Sequence, residues 1–316
     1  MAPSITSLFA LSLVAPLALA ATSSKRGLCY VTPDKSSWSS DDNIWDNSSS
    51  DLTWYYNYKP QPNSEYDSSK LQFVPMQWGA VSNPTTDMSF YNAVKGLIQG
   101  GMNITYVLGM NEPDGCAYGG SCVDATTAAQ MWKTQFEPLR RDFGVKLGAP
   151  AVTGAPTGFT WLQNWFTACS QVSSNGTSCI VDFIPAHFYG NFQGLASHLG
   201  QINGTYQNIS AIWLTEFALD NDDLKDTQDF FNQTTTWLDG LSWVTHYSYF
   251  GAFRSSVSNV GPNVAFLTEK GKLTDIGSWY LGGGATGNVP HGSASTAAKF
   301  AGWSFCIMAA VAWVLF

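Results

Sequence analysis

Eight short, β-rich apolar runs recur along the chain at regular intervals: Gly27–Val31, Leu52–Tyr58, Gln72–Gly79, Ile104–Met110, Lys146–Val152, Asp182–Tyr189, Ala211–Ala218 and Val244–Phe253. Helix-like stretches separate several of them, with Asp87–Gln99 before the fourth run, Thr126–Phe143 before the fifth and Asp226–Leu241 before the eighth. Thr274–Leu281 follows the last. Eight strands alternating with helices predict an α/β chain folded as a single (β/α)8 TIM-type barrel rather than an open doubly wound sheet. No glycine-rich nucleotide loop follows the first run, which also weighs against the open sheet. The segments after the second and fifth runs are weak as helices, so the expected barrel has some helices short or missing.

The two ends read differently from the middle. Ile5–Leu19 is apolar and uncharged and leads into Ala18-Leu19-Ala20, a small-residue cleavage pattern. Residues 1–20 are therefore expected to be a secretory signal peptide. Residues 21–26 end in the dibasic pair Lys25-Arg26, which reads either as the end of a propeptide or as an ordinary charge pair. Residues 300–316 carry no charge and follow a small-residue spacer, 283–299. That tail is shorter than the roughly 20 apolar residues of a membrane span, and spacer plus tail match a GPI-attachment signal. The expected protein is secreted and held at the cell surface or wall by a lipid anchor. Residues 27–282 are left as one catalytic-size domain.

All 23 acidic residues fall in that domain with 12 of the 15 basic ones, a net charge of −11. Such a surface repels phosphate backbones and excludes nucleic acid as a partner. Charged residues are scarce at 12% while aromatics reach 14%, a balance suited to stacking on neutral sugar rings. The close pairs Cys116/Cys122 and Cys169/Cys179 are expected to be disulfides, leaving Cys29 as a buried thiol. Their spacing, without histidines nearby, does not suit zinc; no cofactor and no metal are inferred. Asn47, Asn103, Asn175, Asn203, Asn208 and Asn232 head glycosylation sequons.

In a barrel of this kind chemistry gathers at the C-terminal ends of the strands. Asn111-Glu112-Pro113 caps the fourth run, and Glu216 lies near the end of the seventh. Strands four and seven face each other across the barrel. Their carboxyl groups can then meet at the ~5–5.5 Å separation that retaining glycoside hydrolysis requires. Glu112 is read as general acid/base, which asks for a raised pKa, and Glu216 as the ionised nucleophile. Asn111, Trp78, His187, Tyr189, Asn57 and Tyr58 end neighbouring strands and are read as substrate-binding, with His187 and Tyr189 also placed to orient Glu216. His246 is a weaker candidate.

Leu108-Gly109-Met110-Asn111-Glu112-Pro113-Asp114 and Trp213-Leu214-Thr215-Glu216-Phe217 resemble the two signature segments of glycoside hydrolase family 128, fungal members included. Lys25-Arg26-Gly27-Leu28, Trp54-Tyr55-Tyr56-Asn57-Tyr58, Phe73-Val74-Pro75-Met76-Gln77-Trp78-Gly79 and His187-Phe188-Tyr189 extend the resemblance over 27–282. It implies a retaining β-1,3-glucanase, with Glu112 as acid/base and Glu216 as nucleophile, working as a monomer on a polysaccharide. Tyr58 stands where the family pattern favours Trp. A glucan transglycosylase needs the same residues, and a non-catalytic glucan-binding wall protein is the alternative of another class.

Overall fold

The computed structural model describes residues 23–66, 70–117, 119–173, 178–209 and 211–292. The signal-like run, the terminal tail, residues 293–299 of the spacer before it and the Asn175 sequon lie outside them. Eight strands fall inside the eight expected runs: β1 Gly27–Cys29, β2 Trp54–Tyr56, β3 Gln72–Phe73, β4 Tyr106–Leu108, β5 Lys146–Gly148, β6 Ile184–Tyr189, β7 Ile212–Ala218 and β8 Val244–Tyr249. All ladders are parallel and join neighbours in chain order. Single parallel bridges join the rest: Met76 to Leu108, Gly148 to Phe183, and Arg26 to Tyr247, which links β1 to β8. The ring of strands therefore closes as the expected barrel. Its ladders are short partly because Pro75 and Pro150 lack the N–H that would continue β3 and β5.

The helices are α1 Asp42–Trp45, α2 Ser89–Gln99, α3 Ala125–Met131, α4 Glu137–Phe143, α5 Pro156–Val172, α6 Phe192–Thr205, α7 Leu224–Gly240 and α8 Asp275–Tyr280. A π turn at Trp132–Phe136 joins α3 to α4. Asp124, Asn191, Asp223 and Thr274 cap α3, α6, α7 and α8, each accepting a backbone N–H of the first turn; such caps contribute about 1 kcal/mol apiece. Among its described residues, the segment after β2 holds only a 3-10 turn at Ser64–Tyr66, as its weak pattern implied. The segment after β5 does not follow that expectation. It is a 17-residue helix, α5, opened by Pro156. Its glycine and threonines weaken the local signal. Burial of Leu162, Trp165, Ala168 and Cys169 and the Cys169–Cys179 disulfide supply what propensity does not.

Side chains alternate between two cores, as period-2 strands demand. Leu28, Tyr55, Val107, Leu147, Leu214 and Tyr247 face outward and pack under the helices. Cys29, Trp54, Tyr56, Val74, Leu108, Phe183 and Trp213 fill the barrel. Trp213 stacks on Phe183 at 4.2 Å and on His246 at 3.7 Å, with Trp54 and Tyr106 tilted against it. Glycine makes room for these rings: a Cβ on Gly27 would sit 2.0 Å from the Trp54 indole, and one on Gly148 2.5 Å from Phe183. Hence the lower barrel is a solid aromatic plug, and only its upper end is open to substrate.

Lys25 and Arg26 are built into the closure between β8 and β1. The Lys25 ammonium donates to the carbonyls of Leu238, Asp239 and Leu241 at the end of α7, and its own carbonyl accepts the Tyr247 amide. Buried Arg26 pairs with Asp51 at 3.1 Å and donates to Tyr247 and to the carbonyls of Trp279 and Tyr280. Lys25 and Arg26 thus pack with the barrel just ahead of Gly27.

Candidate active site

Glu112 follows β4 in a turn that its neighbours hold shut. Its amide donates to the Ala151 carbonyl at 2.7 Å, and its φ of 40° lies in the left-handed region. Among the described residues four non-glycine positions have positive φ, and two of them, Tyr58 and Glu112, carry the site. Backbone strain of this kind costs ~1–3 kcal/mol and persists only where surroundings over-determine it. Here the Cys116–Cys122 disulfide folds the loop back so that Ser121 and Val123 donate to the Asn111 and Pro113 carbonyls. Asp114 accepts from the Thr153 amide and anchors the other flank.

Glu216 lies inside the barrel on β7 and is 5% exposed. The Tyr58 hydroxyl donates to its Oε1 at 2.7 Å, and the Tyr189 hydroxyl donates to its Oε2 at 2.6 Å. Tyr56 lies 3.5 Å from Oε1 and donates at 2.9 Å to the Thr215 carbonyl. Burial first, with the charge of Glu216 adding to it, holds all three phenols well above the ordinary tyrosine range, so they stay protonated donors.

His187 connects the two acids. Its Nδ1 lies 3.0 Å from Glu112 Oε1 and 3.5 Å from Glu216 Oε2. A register shift between Ala186 and His187 sets the imidazole opposite Glu216 across the β6–β7 ladder. Burial disfavours the charged ring, but Glu216 and Glu112 outweigh it and hold the His187 pKa above its usual value. One oxygen of Glu112, one of Glu216 and one ring nitrogen of His187 lie within 4.8 Å of one another.

The other residues singled out from sequence divide. Trp78 is 42% exposed at the rim, and its carbonyl accepts the Asn111 amide. Asn111 is buried, donates to the Gly119 carbonyl at 3.1 Å and leaves its Oδ1 without a partner. Asn57 bonds within its own loop: its amide donates to the Gln61 carbonyl and the Asn63 side chain, and its oxygen accepts the Lys59 amide. Tyr58, read as substrate-binding, spends its hydroxyl on Glu216. His246 sits in the aromatic plug, away from the acids, and burial lowers its pKa to about 4. Sequence reasoning missed Tyr56 and the place of Cys29, whose sulfur lies 2.8 Å from the Tyr58 hydroxyl. The signal was available in the alternation of β2, where Trp54, Tyr56 and Tyr58 share one face. A cleft of about 260 Å³ lined by Asp34, Trp38, Phe253 and Arg254 adjoins the site through Phe250, whose ring meets Tyr189 edge-on.

Two facing acids bridged by an imidazole at the open end of a plugged barrel suit acid/base and nucleophilic chemistry. The profile of the family described as glycosyl hydrolase catalytic core matches residues 27–280. The chain belongs to this family. The chain is 31% identical to alkali-sensitive linkage protein 1 of Schizosaccharomyces pombe over 267 residues, covering 82% of this chain. The chain spans 44% of that protein's length. Among solved structures it is similar to a family 128 (subgroup VI) exo-β-1,3-glucanase from Aureobasidium namibiae, with a TM-score of 0.66 at 20% identity, over 83% of this chain and 97% of that one. It is also similar to a family 128 (subgroup II) endo-β-1,3-glucanase from Pseudomonas viridiflava, with a TM-score of 0.63 at 26% identity, over 84% and 99%. The glycosyl hydrolase catalytic core here is thus a barrel of the family 128 type, and Glu112 and Glu216 occupy its open end.

Proposed function

We propose that this chain is a retaining β-1,3-glucan hydrolase of the cell surface, with Glu216 as nucleophile and Glu112 as general acid/base. The observation that carries the reading is the carboxylate pair, whose oxygens approach within 4.8 Å, close to the spacing of a double-displacement site. In the first step a Glu216 oxygen bonds to the anomeric carbon while Glu112 passes its proton to the departing glycosidic oxygen. In the second, Glu112 takes a proton from water, and the water oxygen displaces Glu216 and restores the original anomeric configuration. Tyr58 and Tyr189 hold Glu216 in attacking orientation, one on each oxygen. His187, bonded to Glu112 Oε1, leaves the other oxygen of that acid for the leaving group. The unpartnered Oδ1 of Asn111 suits a sugar hydroxyl, and the exposed Trp78 ring suits the face of a neighbouring glucosyl unit.

The substrate is taken from the two glucanases named above. The surface location rests on the apolar ends, residues 1–20 and 300–316, read as a signal peptide and a GPI signal. Incubating the secreted protein with laminarin and laminari-oligosaccharides tests the reading. Glucose or short laminari-oligosaccharides should form, and Glu112→Gln and Glu216→Gln should each lose several orders of magnitude in kcat. A residual rate above about a tenth in either, a loss under ~1.4 kcal/mol, would refute the roles. Longer oligosaccharides would show transfer to sugar instead of water, and binding without turnover would show a lectin. Release from membranes by a phosphatidylinositol-specific phospholipase is expected; recovering residues 300–316 in the mature protein would contradict the anchor.

A further inference from the structure

Cys29 is a fully buried free thiol for which the chemistry above has no use. It faces into the barrel from β1, beside Tyr56 in the β1–β2 register. Its Sγ lies 2.8 Å from the Tyr58 hydroxyl, a contact in which either atom has the chemistry to donate. Proton counting decides the direction. A tyrosine has one hydroxyl proton, and Glu216 Oε1, an acceptor without protons when ionised, takes it at 2.7 Å. The tyrosine oxygen is then left with lone pairs only, so across this contact the thiol is the donor; Tyr56, the thiol's other hydrogen-bond neighbour, spends its own proton on the Thr215 carbonyl. Burial, and after it the charge of Glu216, keep that thiol protonated, well above the ordinary thiol range.

We propose that Cys29 is a positioning residue for the nucleophile: its S–H donates to Tyr58 and so commits the single tyrosine proton to Glu216. The proposal rests on Glu216 being the nucleophile and adds a residue that never touches substrate. Bonds in such a chain strengthen one another by roughly 10–30%, so removing the thiol should weaken the Tyr58–Glu216 bond without breaking it. The groups facing Glu216 are Cys29 from β1, Tyr56 and Tyr58 from β2, His187 and Tyr189 from β6, and Glu112 from the loop after β4. Of the tyrosine bonds to Glu216, the one from Tyr58 is set by the thiol contact.

The test is the pH profile of kcat/KM on laminari-oligosaccharides for a double-mutant cycle. Cys29→Ala should move the acidic limb upward by about 0.3–0.6 pH, from the partial loss of a chain-strengthened bond, and Cys29→Ser, which keeps a donor, should move it back. Tyr58→Phe should move the limb further, and adding Cys29→Ala to it should change nothing more. A Cys29→Ala profile that overlays wild type, or one that shifts equally with and without Tyr58, would overturn the proposal. A second measurement needs neither turnover nor the alanine variant. The infrared S–H band of Cys29, isolated by subtracting the Cys29→Ser spectrum, should lie at the frequency of a bonded donor and move to the free-thiol position in Tyr58→Phe. A band indifferent to Tyr58 would overturn the proposal too. A wild type inactive on every glucan, but with the band shift intact, would refute the hydrolase reading while the thiol bond stood.

Discussion

Trp78 shows how exposure separates two roles that a sequence cannot tell apart. A buried indole and a sugar platform look alike in a string of letters, but this ring is 42% exposed while Trp54, Trp132, Trp165 and Trp213 are enclosed. Trp78→Ala should weaken glucan binding by roughly 1–3 kcal/mol, a magnitude borrowed from stacking on nucleobases. It should spare the ~3–5 kcal/mol of stability that a core tryptophan supplies. Oligosaccharide titration beside a melting curve checks both halves; a collapsed Tm with unchanged affinity would contradict the assignment. That Glu112 and Glu216 come together was legible because each falls at the end of a countable strand. The bonds that Asn57 makes within its own loop are a use of the side chain that no spacing rule reveals. Tyr58 was noticed as a departure from the family pattern, but its use of a hydroxyl to hold Glu216 depends on geometry across the barrel.

At the level of elements, all eight strands were readable, since each lies inside a short β-rich apolar run. The helix α5 was less so, because its stability comes from Trp165 and Leu162 burying against neighbours rather than from its own residues. The aromatic plug was legible only as a surplus of rings. It carries a pH signature. His246 in the plug is half-buried and His198 on α6 is buried, and burial lowers each to about pKa 4. Unfolded imidazoles protonate near ~6.5, so as pH falls from there the unfolded chain takes up protons the folded one refuses. Stability from these two is full above ~6.5 and declines toward pH 4, by on the order of a few kcal/mol together. His187, whose pKa is raised by Glu216 and Glu112, runs the other way. Its contribution is full below ~6.5 and is lost as pH rises through its folded value. Denaturant melts between pH 4 and 7 should therefore show a shallower acid loss for His246→Phe than for wild type; parallel curves would contradict this.

For the whole molecule, the closure between β8 and β1 matters most, because an unclosed barrel leaves two exposed strand edges. Arg26 is the ionic centre of that closure, and leaving Asp51 buried without it should cost ~3–5 kcal/mol. Arg26→Ala should lower Tm substantially yet keep kcat per folded molecule, and a Tm within a degree or so of wild type would show the clasp to be idle. Residues 23–26 should persist in the mature protein, which N-terminal sequencing reads directly; a mature chain starting at Gly27 would contradict it. The barrel positions the two acids, and the account's central claim is their division of labour. The most direct measurement is azide rescue of Glu216→Gly on an activated β-glucoside or laminari-oligosaccharide, with the glycosyl azide identified by NMR. The anion should enter the vacated nucleophile position and give the α-azide, of inverted configuration, while hydrolysis without azide stays near zero. Formation of the β-azide, or retention of hydrolysis without any added anion, would contradict the assignment of Glu216 as nucleophile.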